Sequence, residues 1–188
     1  MKEYAQKNHI PIILDEGLMF LRLFCETLRP KNILEIGGAI GFSSINMAKY
    51  CDAIIDTIEI NADSFNIMQN NIQTACLTER INPILENALT IDINRLKKTY
   101  DLIFIDAAKA QYIKFFEKFS PLLSPNGIII TDNLLFHDLI FETEISSKNL
   151  RNLVKKIRDF NYYLKNNFDF VTRVFNIGDG IAVSRKKK

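Results

Sequence analysis

The sequence predicts an α/β fold: a mostly parallel sheet of seven strands, helices on both faces and an antiparallel strand at its C-terminal end. Three observations predict it. Short apolar runs alternate along the chain with segments whose apolar residues recur at helical spacing, the pattern of strand–helix crossovers. Glu35, Glu59, Asp106, Asp132 and Asn133 fall at the carboxyl ends of strands, the edge where open parallel sheets bind ligands. The last two strands are joined only by a tight Gly178-Asp179 turn, which makes them a hairpin.

The elements follow in order. Residues 1–12 are polar and then extended, with Pro11 disfavouring helix at Ile10. Asp15 can cap a helix over 16–28 that carries Leu21, Phe24 and Leu28 on one face, and Pro30 marks its end. A strand over 32–36 runs into a glycine turn, Gly37, Gly38 and Gly41, and Ser43 opens a helix to Lys49. A second strand spans Ala53–Ile60. Asn61 or Asp63 then caps a helix with Phe65, Met68, Ile72 and Cys76 at helical spacing. Asn82–Leu85 reads as a short strand and Thr90–Lys98 as a short helix.

Strand Tyr100–Asp106 is apolar up to its final carboxylate, and the helix 110–120 turns Ile113, Phe116 and Phe119 inward. Pro121, Pro125, Asn126 and Gly127 punctuate a turn before the strand Ile128–Thr131. A long helix over Ser147–Lys165 precedes the hairpin strands Phe168–Phe175 and Gly180–Ser184.

A chain of 188 residues reads as one domain, 1–188, with an N-terminal helical segment over 1–30 and a core over 31–188. Hydrophobic residues at 47% and charged residues at 24% place it with soluble globular proteins. No apolar run approaches the ~20 residues of a membrane span, and the N-terminus lacks the layout of a signal peptide. Cys25, Cys51 and Cys76 are odd in number, far apart and free of a C-x-x-C spacing. Disulfides and a zinc site are therefore not expected, and a cytoplasmic setting is. A net charge of +2 neither requires nor excludes a nucleic-acid partner.

The glycine turn lacks the G-x-G-x-x-G dinucleotide fingerprint and the P-loop lysine. Glycine lets a ligand approach the backbone, and the same turn also suits a tight strand–helix connection at positive φ. Glu59, near the end of the second strand, is placed to accept both hydroxyls of an adenosine ribose. Together they point to an adenosine-type ligand without a pyrophosphate, which argues against a dehydrogenase.

The segment Glu35-Ile-Gly-Gly-Ala-Ile-Gly-Phe-Ser resembles motif I of the class I methyltransferases that use S-adenosylmethionine. From about residue 10 to 185 the chain resembles their metal-dependent O-methyltransferase branch, which includes the catechol and caffeoyl-CoA enzymes. The resemblance implies a Rossmann-like methyltransferase sheet, and a cofactor site drawn from Glu35, Gly37, Gly38, Ser43, Glu59, Asn87, Ala88 and Asp106. It puts Gly37, Gly38 and Ser43 at the methionine part, Glu59 at the ribose, and Asn87 and Ala88 at the adenine. Where the family often has Asp, this chain has Asn87. A backbone contact near Ile12 or Ile13 is also implied.

Asp106, Asp132 and Asn133 form an all-oxygen set suited to Mg²⁺ or another hard divalent cation. By themselves they also read as a helix cap and an Asp-Asn turn. In the family a lysine at the spacing of Lys109 is the general base, so Lys109 and Asp106 become the catalytic candidates. Ala108 stands where the family often has an acid.

Among bacterial members the resemblance is to tRNA 5-hydroxyuridine methyltransferases, through Pro11-Ile-Ile-Leu-Asp-Glu-Gly17, the Gly-Ala-Ile-Gly motif and the compact size. It implies a tRNA substrate methylated to 5-methoxyuridine, and the family is commonly homodimeric. Lys148, Arg151, Lys155, Lys156, Arg158, Lys165 and the tail Arg185–Lys188 could hold phosphates, or form a solvated face and a frayed tail. Phe136 and His137 could contact a base. A small catechol-like acceptor and a non-catalytic adenosine-binding module are the alternatives.

Overall fold

In a computed structural model that describes residues 1–187, seven strands form one sheet: β1 (Asn32–Ile36), β2 (Ile54–Glu59), β3 (Ile81–Leu85), β4 (Tyr100–Ile105), β5 (Leu123–Thr131), β6 (Phe170–Phe175) and β7 (Ile181–Lys186). Their order is β3-β2-β1-β4-β5-β7-β6. The pairs β1–β2, β1–β4, β2–β3 and β4–β5 are parallel, and β7 runs antiparallel to both of its neighbours. The strand order turns back between β1 and β4, which opens a crevice at their carboxyl ends.

Successive side chains of each strand point to opposite faces, and both faces are covered. Ile33, Ile55, Leu102 and Phe104 pack toward α2 (Asp15–Leu28), α3 (Phe42–Tyr50) and α4 (Ala62–Thr74), against Leu21, Met47 and Met68. Leu34, Ile58, Ile103 and Ile105 pack toward α5 (Tyr112–Phe119) and α6 (Lys148–Lys165), against Phe116, Phe119 and Phe160. On this second face Phe116 meets Phe160, Tyr163 and Phe170 edge-on, the arrangement that ring quadrupoles favour.

Several local expectations are corrected. The opening segment contains a helix, α1 (Lys2–Lys7), folded back so that Ala5 is buried and Lys2 pairs with Asp15. Asp15 is therefore not a cap: Leu14 precedes the helix, and no side chain caps it. Its buried face is Leu18, Leu21 and Cys25, whereas Leu28 is exposed. Cys76 lies beyond the end of α4 at φ 56°, exposed to solvent. The expected helix over 90–98 is one 3₁₀ turn, Ile93–Arg95.

Another 3₁₀ turn, Lys109–Gln111, precedes α5. Pro125, Asn126 and Gly127 lie within β5, where the register jumps from Tyr100↔Leu123 to Leu102↔Ile128 and the extra residues bulge outward. Pro83 is tolerated in β3 because that strand is the sheet edge. No helix among the described residues is long and apolar enough to cross a membrane.

Candidate active site

A cavity of about 610 Å³ opens over the carboxyl ends of β1, β2 and β4. Residues Pro11–Leu14, with Ile12 and Ile13 among them, form one wall. Gly37, Gly38, Ser43, Glu59, Asn87 and Ala88 line one side, and Asp106, Lys109 and Asn133 line the other.

The glycine turn is shaped first by the fold. Gly37 has φ +96°, and a Cβ there would sit 2.1 Å from the Asp106 carbonyl oxygen. At Gly38 a Cβ would meet the Thr57 hydroxyl at 2.2 Å. The turn is thus pressed between β2 and β4, and the amides of Gly37 and Gly38 both donate to the Ile58 carbonyl at 2.9 and 3.2 Å.

Two acids serve this side. The Glu59 carboxylate accepts three backbone N–H groups, from Ala39 at 2.8 Å, Ile60 at 2.8 Å and Asn61 at 2.7 Å. It ties the glycine turn to the end of β2 and still faces the cavity. Glu35 is fully buried and lies behind the turn, off the cavity wall. It accepts the Ser43 hydroxyl and, at 2.6 Å, the Thr57 hydroxyl. Burial pushes its carboxyl up to about 7, against the opposing pull of those hydroxyls. Glu35 reaches the cavity through Ser43. Asn87 lines the cavity while its Oδ1 accepts the Leu89 amide at 2.9 Å.

The opposite side is electrostatically unfinished. Burial pushes the Asp106 carboxyl up, with Lys109 opposing and Asp179 adding to the rise. Asp132 is pushed up to about 7 by burial and then by the charge of Asp106, while the Asn133 amide and Lys109 act the other way. Only that amide, at 2.7 Å, donates to the Asp132 carboxylate among the described residues. Asp132 sits just behind the wall, and Asn133 faces the cavity at φ 63°, a conformation asparagine tolerates better than most residues. The Lys109 Nζ lies 5.7 Å from the centroid of the Phe136 ring, within cation–π range.

A half-buried and a buried carboxylate beside an amide oxygen are donors of the kind a hard cation takes. Among the described residues no three of His, Cys, Asp and Glu come together in a metal-binding group, so Asn133 would have to complete the set.

Residues 1–187 match the O-methyltransferase family. The chain belongs to that family. It is 30% identical to caffeoyl-CoA O-methyltransferase 2 of Eucalyptus globulus over 185 residues, 92% of this chain and 73% of the relative. A Staphylococcus aureus crystal structure named for caffeoyl-CoA O-methyltransferase superposes with a TM-score of 0.94 at 39% identity, covering 99% of this chain and 90% of that one. The Bacillus cereus O-methyltransferase structure in complex with SAH, at 24% identity, shares the fold, with a TM-score of 0.84 over 98% of this chain and 88% of that one.

Within this O-methyltransferase the expected basic surface is partly committed elsewhere. Arg158 donates to the carbonyls of Leu139, Ile140 and Glu142, and Arg151 to that of Ile145, so both brace the segment after Asn133. Arg185 and Lys186 belong to β7, and the Lys187 Nζ donates to the Asn167 carbonyl at 3.1 Å, so this part of the tail is not frayed. Lys188 lies outside the described residues.

Sequence reasoning missed Asp179, buried at the tip of the β6–β7 hairpin and facing the cavity. Its place follows from topology: β6 runs parallel to β5, so the turn that follows it falls on the carboxyl edge of the sheet.

Proposed function

We propose that this O-methyltransferase moves the methyl group of S-adenosylmethionine to a hydroxyl of a small catechol-like acceptor, one carrying two adjacent oxygens. The observation that carries the proposal is a single cavity lined both by the glycine turn with a hydrogen-bonded Glu59 and by Asp106, Lys109 and Asn133. The relatives named for caffeoyl-CoA support the acceptor class, because a caffeoyl group is a catechol.

Glu59 takes the ribose hydroxyls, Gly37, Gly38 and Ser43 accommodate the methionine part, and Asn87 and Ala88 adjoin the adenine. Asp106, Asp132 and Asn133 would hold a divalent cation such as Mg²⁺, which when bound supplies Lewis-acid acidification of the acceptor hydroxyl. Lys109, acting in its uncharged amine form after giving its proton to solvent, receives the hydroxyl proton at Nζ as the oxygen forms its bond to the methyl carbon and the carbon–sulfur bond breaks. Holding donor and acceptor in line is the largest contribution of the cavity walls. Cytoplasmic residence and a homodimer belong to the same proposal.

Transfer of labelled methyl to caffeate or catechol by the purified protein, lost in Lys109→Ala, tests it. No turnover of any vicinal diol by the wild type, with or without Mg²⁺, would overturn it. A second reading, methylation of 5-hydroxyuridine in the wobble position of tRNA, has its own observation. Lys148, Lys155, Lys156 and Lys165 are exposed along α6. It predicts transfer to bulk tRNA that falls steeply as salt rises, and a flat salt response with efficient catechol turnover rejects it.

A further inference from the structure

The tip of the β6–β7 hairpin touches the cavity, and the proposed reaction makes no use of it. Asp179 is 6% exposed there, flanked by Gly178 and Gly180 at φ 56° and 84°. The tip grips the segment that follows Asn133 at three points. The Leu134 amide donates to the Gly180 carbonyl at 2.9 Å, and the Leu135 amide to the Asp179 carbonyl at 2.9 Å. The Asp179 Oδ1 accepts the backbone N–H of His137. A Cβ on Gly180 would stand 2.8 Å from the Leu135 nitrogen, so the two chains are in close contact.

The gripped segment needs support. Phe136, His137 and Asp138 are consecutive non-glycine residues in the left-handed region, at φ 48°, 55° and 60°. Such residues persist only where the surroundings hold them. Phe136 faces the cavity with its ring over the Lys109 ammonium. The partner of the His137 amide is a carboxylate whose Oδ1 also lies 3.8 Å from the His137 Nδ1. A carboxylate forms the stronger hydrogen bond.

We infer that Asp179 is a positioning residue: by fastening the His137 backbone it holds the left-handed segment in place and keeps Phe136 against Lys109 at the acceptor wall. Its effect on turnover rests on the proposed function, whereas its effect on the segment does not.

Two variants test it, Asp179→Ala, which removes the acceptor, and Asp179→Asn, which keeps an oxygen for the His137 N–H. In Asp179→Ala, amide hydrogen exchange at residues 135–138 should quicken by about tenfold or more, the scale of a lost charged hydrogen bond. KM for the acceptor should rise by about tenfold on the same ground, with a smaller change in kcat and unchanged affinity for S-adenosylmethionine. Asp179→Asn should restore most of the exchange protection and of KM.

Unchanged exchange at 135–138 in Asp179→Ala would overturn the inference, as would an Asn variant as unprotected as the Ala variant. Should the Ala variant fail to fold, the Asn variant decides: protection retained supports the anchor, and protection lost rejects it. A wild type that methylates no acceptor sinks the proposed function, and the exchange measurement still judges the anchor.

Discussion

The two sides of the cavity treat their acids in opposite ways. Glu59 has three backbone donors that answer its charge from within the fold, and Glu35, with two hydroxyls against its burial, is kept off the cavity wall. On the other side one amide donates to the Asp132 carboxylate, and Lys109 is the cation set against Asp106 and Asp132. The first side is finished before any ligand arrives. The second carries negative charge and hydrogen-bonding capacity that a cation, a proton or a substrate oxygen can use. The contrast teaches that a carboxylate's donors, more than its place at a strand end, decide whether its charge is answered within the fold.

The contrast can be broken experimentally, and the largest effects belong to the unfinished side. Lys109→Ala should lower turnover by about 10²–10⁴-fold, the usual worth of a general base, while calorimetry finds S-adenosylmethionine binding intact. Asp132→Ala should show the same separation. Stripping divalent cations with a chelator should cost at least about tenfold in methyl transfer, reversed by added Mg²⁺, again without loss of cofactor affinity. Full activity in the chelated protein would remove the cation from the proposal.

The finished side should fail as structure instead. Gly37→Ala drives a methyl group into the Asp106 carbonyl and forces alanine to φ +96°. Overpacking of this kind should destabilise the fold by about 3 kcal/mol, read as a lower denaturation midpoint. A pH slope, spread over more than two pH units, is the remaining effect. The folded-state carboxyl of Glu35 is pushed up to about 7 from an ordinary value near 4.5. Between those values the unfolded chain has released this proton and the folded chain retains it, so stability falls as pH rises through the window and levels off above it. The full cost is on the order of 3 kcal/mol. Asp132, raised in the same direction, adds to the slope. Glu35→Gln should flatten the part that Glu35 contributes, measured as denaturation midpoints at pH 5 and pH 7.5.

Much of this was legible in the residues because it depends on local pattern. The apolar runs that became β1, β4 and β5, and the polar groups at their carboxyl ends, are fixed by alternation and by the side-chain period of the strand. The glycine turn could be located, but not its reason: only the fold shows that Gly37 faces a backbone carbonyl and Gly38 a threonine hydroxyl. Glu35 and Glu59 look equivalent in sequence, and tertiary packing sends one behind the turn and the other to the cavity. Arg151 and Arg158 look like surface cations, and their carbonyl partners come from a segment with no periodic signal. Asp179 stayed hidden because its importance follows from strand order, a long-range property.

Strand β7 fills the gap between β5 and β6, although it is made after both. This has a consequence for manufacture. A growing chain that has reached residue 131 already holds β1 to β5, and with them the glycine turn and Glu59. Strand β6 then emerges with no neighbour to pair with, and it waits for residues 181–186. The hairpin tip takes its place against the segment after Asn133 only when that last strand is inserted. The grip of Asp179 on the segment after Asn133 therefore depends on a strand made later than the glycine turn and Glu59.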